Sequence, residues 1–440
     1  MTARRPSDDA DSDAGSDESG EPSGVSRRAA VGLAVGLAGA LAGCPRPGDP
    51  AANETTTTGE PTTTEEPTPI PDPRAYYVSP DGDDGNQGSD DQPFASLRRA
   101  FRAVAPGDSV YLRGGTHRVA GHVRLTSVEG TPNAPVTVAS APGEAATIDF
   151  VEETVGGLQI RNCEHVHVRD LTVENAPSDG VLVTDGSRNI TIEDVVVTGS
   201  GGDRNASGTG VLLYDTTDCT VRRVVSRRNY DPSSGGGNAD GFDVGQSPGA
   251  VVEDCVAHGN SDDGFDLWEG VDITLRRCVA FENGWDPDGN PAGDGNGFKL
   301  GGGSLPSGDS RVERCVAYRN RRRGFDDNTA TRALTVYNCT AWDNPTGFRF
   351  DCQSGRSCPA HVLRNNLNQD GRISTASGVD DDVNSWTLDV DDPGFASTDP
   401  SSRDFLALTA DSPAVDAGTD VGLAYVGDAP DLGAYERRSE

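Results

Sequence analysis

Between residues 157 and 350 apolar positions alternate with polar ones in short runs. "VHVRDLTVENA", "ITIEDVVVTGS", "CTVRRVVSRRN", "VVEDCVAHGN", "ITLRRCVAFEN", "RVERCVAYRN" and "LTVYNCTAWDN" follow one another, rich in β-branched residues and often ending in Asn. A period of two marks a half-buried strand, and no run here keeps a 3.6-residue period long enough to be a helix. A shorter phrase precedes each run: "GLQI" at Gly157, "GVLV" at Gly180, "GVLL" at Gly210, "GFDV" at Gly241, "GFDL" at Gly264, "GFKL" at Gly297, "GFDD" at Gly324, with "GFRF" at Gly347. Successive glycines lie 23, 30, 31, 23, 33, 27 and 23 residues apart. Short strands at that spacing predict an all-β fold, a right-handed parallel β-helix whose coils stack at about 4.8 Å. A β-propeller would need about 40 residues per blade. The extra residues of the longer coils must leave the solenoid as loops on one side.

The flanks complete the solenoid. An amphipathic helix is predicted over Phe94–Ala105, with Leu97, Ala100, Phe101 and Val104 on one side to plug the first coil. The cap spans about 75–120, and a closing segment spans about 380–440, so 75–440 forms the folded body. Six cysteines (Cys163, Cys219, Cys255, Cys278, Cys315, Cys339) fall at similar places in the repeat, which predicts an inert interior stack. Cys352 and Cys358 are close enough in sequence to pair outside the cell. No CxxC or Cys/His spacing suggests zinc.

Stacking turns the phrases into columns. One and three residues after each glycine the side chains are apolar, Asp327 excepted, so both columns face inward. The column between them must face outward: Gln159, Leu182, Leu212, Asp243, Asp266, Lys299, Asp326, Arg349. Lys299 is therefore expected on an exposed strand face one coil from Asp266, with Asp240, Asp262 and Asp263 beside it. Four carboxylates that close repel one another by several kcal/mol at ~4–5 Å and intermediate dielectric. A hard divalent cation resolves this, and Ca²⁺ tolerates an irregular oxygen cage better than Mg²⁺. Lys299 is the only lysine in the chain. Arginine stays protonated at any ordinary pH, whereas a lysine amine can serve as a proton acceptor.

Composition narrows the partners. A net charge of −33 argues against nucleic acid and anionic membranes. Such acidity with so little lysine resembles the composition of halophile proteins. Residues 1–44 suggest an export leader: an Asp/Ser/Gly-rich start, then Arg27-Arg28 before the apolar run Ala29–Ala42, as in twin-arginine signals. "LAGC" ending at Cys44 resembles a lipobox, which would put a lipid on Cys44. Residues 45–74, rich in Thr, Pro and Glu, read as a stalk. The expected location is extracellular, on the outer face of the membrane if Cys44 is lipidated, and the expected state is a monomer.

"NADGFDV", "NSDDGFDLWEG", "GDGNGFKLGGG" and "RRRGFDDN", in that order on successive coils, resemble the pectate lyases of polysaccharide lyase family nine. The resemblance implies a catalytic Ca²⁺ held by Asp240, Asp262, Asp263 and Asp266, with Lys299 as base. It implies an acidic polysaccharide, polygalacturonate or pectate, cut by β-elimination. Arg323, Arg349 and Trp268, with Arg321, Arg322 and Trp285 beside them, are candidates for gripping sugar. The Asp-rich loop "WDPDGNPAGDG" is a candidate for a second calcium. Two other readings stay open on these residues. "NADG" and "SDDG" also fit a polygalacturonase-like hydrolase, although the Gly-His-Gly and Arg-Ile-Lys motifs of such enzymes are missing. A non-catalytic polyuronide-binding surface protein would have no need of the lysine.

Overall fold

The computed structural model describes residues 73–151, 156–202, 207–352 and 358–437. The expected leader and most of the expected stalk lie outside these. Among the described residues the strands form three long parallel sheets of 11, 10 and 10 members, plus one two-stranded sheet. The chain visits the three long sheets in turn, which is the β-helix expected from the repeat.

One long sheet carries every glycine phrase, and it is called here the site sheet. It runs from Gly121–Thr126 to Arg372–Thr375, and its middle strands are Phe242–Gly245, Phe265–Asp266, Phe298–Lys299 and Arg323–Asp326. Their register places Phe242, Phe265, Phe298, Phe325 and Phe348 in one row. These rings stack with centroids 4.8 Å apart and planes within 9° of parallel, and all are buried in the solenoid's core. Glycine precedes each phenylalanine because nothing larger fits. A Cβ on Gly297 would lie 2.7 Å from the Gly324 carbonyl oxygen and 2.9 Å from the Asn320 amide.

The asparagines that end the strand runs turn the chain into the site sheet. Asn229, Asn260, Asn283 and Asn320 each donate Nδ2 to the Oδ1 of the next in line, at 2.9, 3.0, 2.9 and 3.1 Å, and the row ends at Asn344. Each Oδ1 also accepts a backbone N–H, so the buried amides are satisfied. The extra residues of the 30-, 31- and 33-residue coils, all but one, lie in this turn, on one side of the solenoid as expected.

Three expectations change. The helix is only α1, Leu97–Phe101. Ser96 caps it by accepting the Arg99 N–H, Phe94 is held extended by a bridge to Val78, and Pro106 follows soon after. Leu97, Ala100 and Phe101 do bury against the first coil. The six free cysteines are all buried, but only Cys255, Cys278, Cys315 and Cys339 share a column, one residue before the paired strand starts Val256, Val279, Val316 and Thr340. Cys219 heads a strand of a different sheet, and Cys163 lies in a turn where Ser187 accepts its N–H. The charged stretch of the outward column is not exposed: Asp243, Asp266 and Asp326 are at most 2% accessible and Lys299 is 7% accessible. The long turn 284–296, which phrase spacing cannot place, folds back to Lys299, where Asp294 meets the amine. Cys352 and Cys358 form the expected disulfide.

Candidate active site

Three successive coils build the site. Asp240 comes from the first, Asp262, Asp263 and Asp266 from the second, and Lys299 from the third. Backbone amides aim the carboxylates. Asp240 Oδ1 accepts the Asp263 N–H at 3.1 Å, Asp262 Oδ1 the Asp294 N–H at 2.6 Å, and Asp263 Oδ1 the Asn296 N–H at 2.6 Å. Asp240 Oδ2 also accepts the Thr209 hydroxyl at 3.5 Å. Oxygen atoms of Asp240, Asp263 and Asp266 come within 4.8 Å of one another, and those of Asp262, Asp263 and Asp294 form an overlapping group. Thus Asp240 and Asp262 lie in different groups that share Asp263.

Lys299 reaches into both groups. Its Nζ is 3.4 Å from Asp263 Oδ2, 3.6 Å from Asp266 Oδ2 and 3.1 Å from Asp294 Oδ2. Among the described residues no other cation is within ion-pair reach of Asp263 or Asp266. Burial opposes the charge on Lys299, but Asp266, Asp263, Asp294 and Asp262 together outweigh it and hold the amine protonated. The aspartates show the converse. Burial, reinforced by Asp262, raises Asp240 and Asp263 well above the usual carboxylate range, and burial pushes Asp262 up to about 7. One ammonium does not balance this much buried negative charge.

These residues fit a hard divalent cation. Every donor is an oxygen, the carboxylates are buried, and Asp266 Oδ1 has no hydrogen-bond partner. A second cluster does not fit one. Asp327, Cys352, Cys358 and His361 also converge, but the thiols are joined in the disulfide. His361 Nδ1 accepts the Leu334 N–H at 3.0 Å, so Nε2 keeps its proton. The Asp-rich loop contributes Asp294 to the group with Asp262 and Asp263. Asp286 is occupied by its own turn, accepting N–H groups from Asp288 and Asn290 and the Asn290 amide.

The sugar-gripping candidates divide. Arg323 and Arg349 stand on the site sheet one and two strands beyond Lys299. Both are engaged with acids: Arg323 with Asp326 at 2.7 Å, Arg349 with Asp351 at 3.0 Å. The half-buried Trp268 ring lies 5.5 Å from Lys299 Nζ and forms one wall. Arg322 pairs with Asp294, and half-buried Trp285 bridges to Pro291 within the long turn. Arg321 serves the fold instead, donating to the carbonyls of Ala292, Gly293 and Asp294 and so pinning that turn. Sequence reasoning missed Asp294 and Asp326. Asp326 stood in the outward column without a role, and Asp294 comes to the amine only because the long turn folds back.

The chain matches the family model described as "Pel9A-like, right handed beta helix region" over residues 76–366. It is 33% identical over 399 residues to pectate lyase L of Dickeya dadantii, covering 83% of this chain and 91% of that protein. It is 32% identical over 391 residues to pectate lyase PEL9 of Emericella nidulans, covering 74% and 87%. The crystal structure of pectate lyase Pel9A superposes with a TM-score of 0.74 at 31% identity, covering 83% of this chain and 96% of that one. The resemblance read from four short phrases extends over most of the chain, and the protein belongs to the Pel9A-like right-handed β-helix family.

Proposed function

We propose that the protein is a calcium-dependent polysaccharide lyase that cleaves a polyuronide, polygalacturonate or pectate, by β-elimination. The observation that carries this is the chain's single lysine, buried against Asp263, Asp266 and Asp294 with an amine as its only functional group. The names of its relatives supply the substrate class. Asp240, Asp262, Asp263 and Asp266 would hold the cation, and Asp294 borders the same space. A Ca²⁺ ion bound there would supply the positive charge that acidifies the proton next to a uronate carboxylate.

Lys299 acts as the base. It takes the C5 proton, the electron pair of the C5–H bond forms the C4–C5 double bond, and the C4–oxygen bond breaks. The departing oxygen takes a proton from solvent. The amine must be neutral to do this. The aspartates favour its charged form, so the base works only when their charge is offset. Trp268 walls the amine, and Arg323 and Arg349 extend the surface toward further uronates. Export by the twin-arginine route, with a lipid on Cys44 and residues 45–74 as a stalk, belongs to the same proposal.

The test is polygalacturonate in high salt, with calcium or with a chelator. The expected result is ultraviolet absorbance from an unsaturated uronide that needs calcium. New reducing ends without absorbance would make the protein a hydrolase and overturn the reading.

A further inference from the structure

The row of the site sheet that reaches Lys299 begins far from it. In register, Arg124, Gln159, Leu182, Leu212, Asp243, Asp266 and Lys299 succeed one another. At about 4.8 Å per strand, Arg124 stands ~29 Å from the lysine along the same face. The chain as a whole carries a charge of −33, yet at this end basic groups gather. Among the described residues only Arg124, Arg161 and Arg98 act electrostatically on His122. Arg161 is balanced by Asp185 at 2.8 Å. Arg98 is turned to the backbone, donating to the carbonyls of Ala120 and His122.

Arg124 is different. Its Nε donates to Gln159 Oε1 at 2.8 Å, while the Gln159 amide nitrogen lies 3.1 Å from His122 Nδ1. Gln159 is only 7% accessible, so it is a fixed bracket between the Arg124 guanidinium and the His122 imidazole, which burial and the nearby arginines hold below its ordinary pKa. Arg124 itself is exposed, and no described residue receives its Nη groups. A guanidinium held at Nε and open at both Nη atoms presents a fork to a carboxylate. Between this fork and the acidic cluster the face is apolar, with half-buried Leu182, Leu212 and Tyr214. That surface suits the C–H faces of sugar rings.

We propose that Arg124, bracketed by Gln159 beside His122, is a remote uronate-binding subsite that grips one carboxylate of a long acidic polysaccharide while another stretch of it lies at Lys299. The inference rests on the polyuronide reading above. Its test is binding rather than turnover: Lys299→Ala and Lys299→Ala/Arg124→Ala proteins, with calcium, titrated with long polygalacturonate and with trigalacturonate. Loss of the fork should weaken polymer binding about tenfold, the size of one charge-assisted contact. The slope of affinity against salt should fall as well. Trigalacturonate, too short to span both sites, should bind equally to the two proteins. Equal polymer affinity, or equal loss for both ligands, would overturn the subsite. Polymer binding that depends on Arg124, with no unsaturated product from the natural protein and calcium, would refute the lyase reading and leave the subsite standing. Product formation with polymer affinity indifferent to Arg124 would do the reverse.

Discussion

Lysine and arginine would neutralise Asp263 and Asp266 equally well, but only the amine can give up its proton at ordinary pH. That difference gives Lys299 its meaning, and the acids around it set its state. The same acids predict how the metal-free protein responds to pH. Asp262 titrates near 7 in the fold, against an ordinary carboxylate value of 3.8, and Asp240 and Asp263 are shifted the same way. In the unfolded chain these groups have lost their protons by about pH 5, whereas in the fold they keep them to higher pH. The native state then binds more protons, so stability is greatest at low pH within this window and falls as pH rises toward 7. Thermal melts in chelator should show a falling melting temperature from about pH 4.5 to 7.5, and added calcium should remove most of the fall. A flat profile in chelator would mean that the aspartates are not crowded as described.

At the scale of elements, the asparagine row and the phenylalanine row hold the site strands in register. Asn283 receives the Asn260 N–H and amide and donates to the Ala257 carbonyl and to Asn320. Asn283→Ala would leave several buried polar groups unmet at about 1–3 kcal/mol each. Urea unfolding should show a loss of at least ~2 kcal/mol. A loss under ~0.5 kcal/mol, the size of an ordinary surface change, would mean that the row is decorative. Phe298→Ala, which opens a hole in the ring stack directly below Lys299, should cost ~3–5 kcal/mol. These rows were legible in the sequence because a solenoid repeats them: the glycine phrase fixes what points in and what points out, and the terminal Asn recurs with it. The long turn 284–296 was not legible. Its path depends on Arg321 reaching back to three of its carbonyls, a contact with no period, and the arrival of Asp294 at Lys299 follows from that path. The cysteines show the same limit, since residues at similar phrase positions fell into different columns once the turns were drawn.

For the molecule as a whole, the charge of −33 opposes compactness, and salt screens it: the Debye length falls from about 10 Å at 0.1 M to about 3 Å at 1 M. The melting temperature should therefore rise between 0.1 and 2 M NaCl, and a fall would show that local ion pairs outweigh the overall repulsion. The solenoid also explains how one sheet can be both a scaffold and a binding face. Its inward columns are aromatic and aliphatic, Asp327 excepted. From Arg124 to Asp266 its outward column changes from basic to apolar to acidic along one line, which would give a bound polymer a direction.

The most direct test of the central claim, that Lys299 is the base of a calcium-dependent elimination, is the rate of unsaturated-uronide formation from polygalacturonate, measured with saturating calcium for the natural protein and for Lys299→Arg. Arginine keeps the charge beside Asp263 and Asp266 but cannot accept the proton. The predicted result is a loss of roughly 10²–10⁴-fold, the usual contribution of a positioned base, in a protein that still folds and binds calcium. A Lys299→Arg protein within a few-fold of the natural rate would contradict the account.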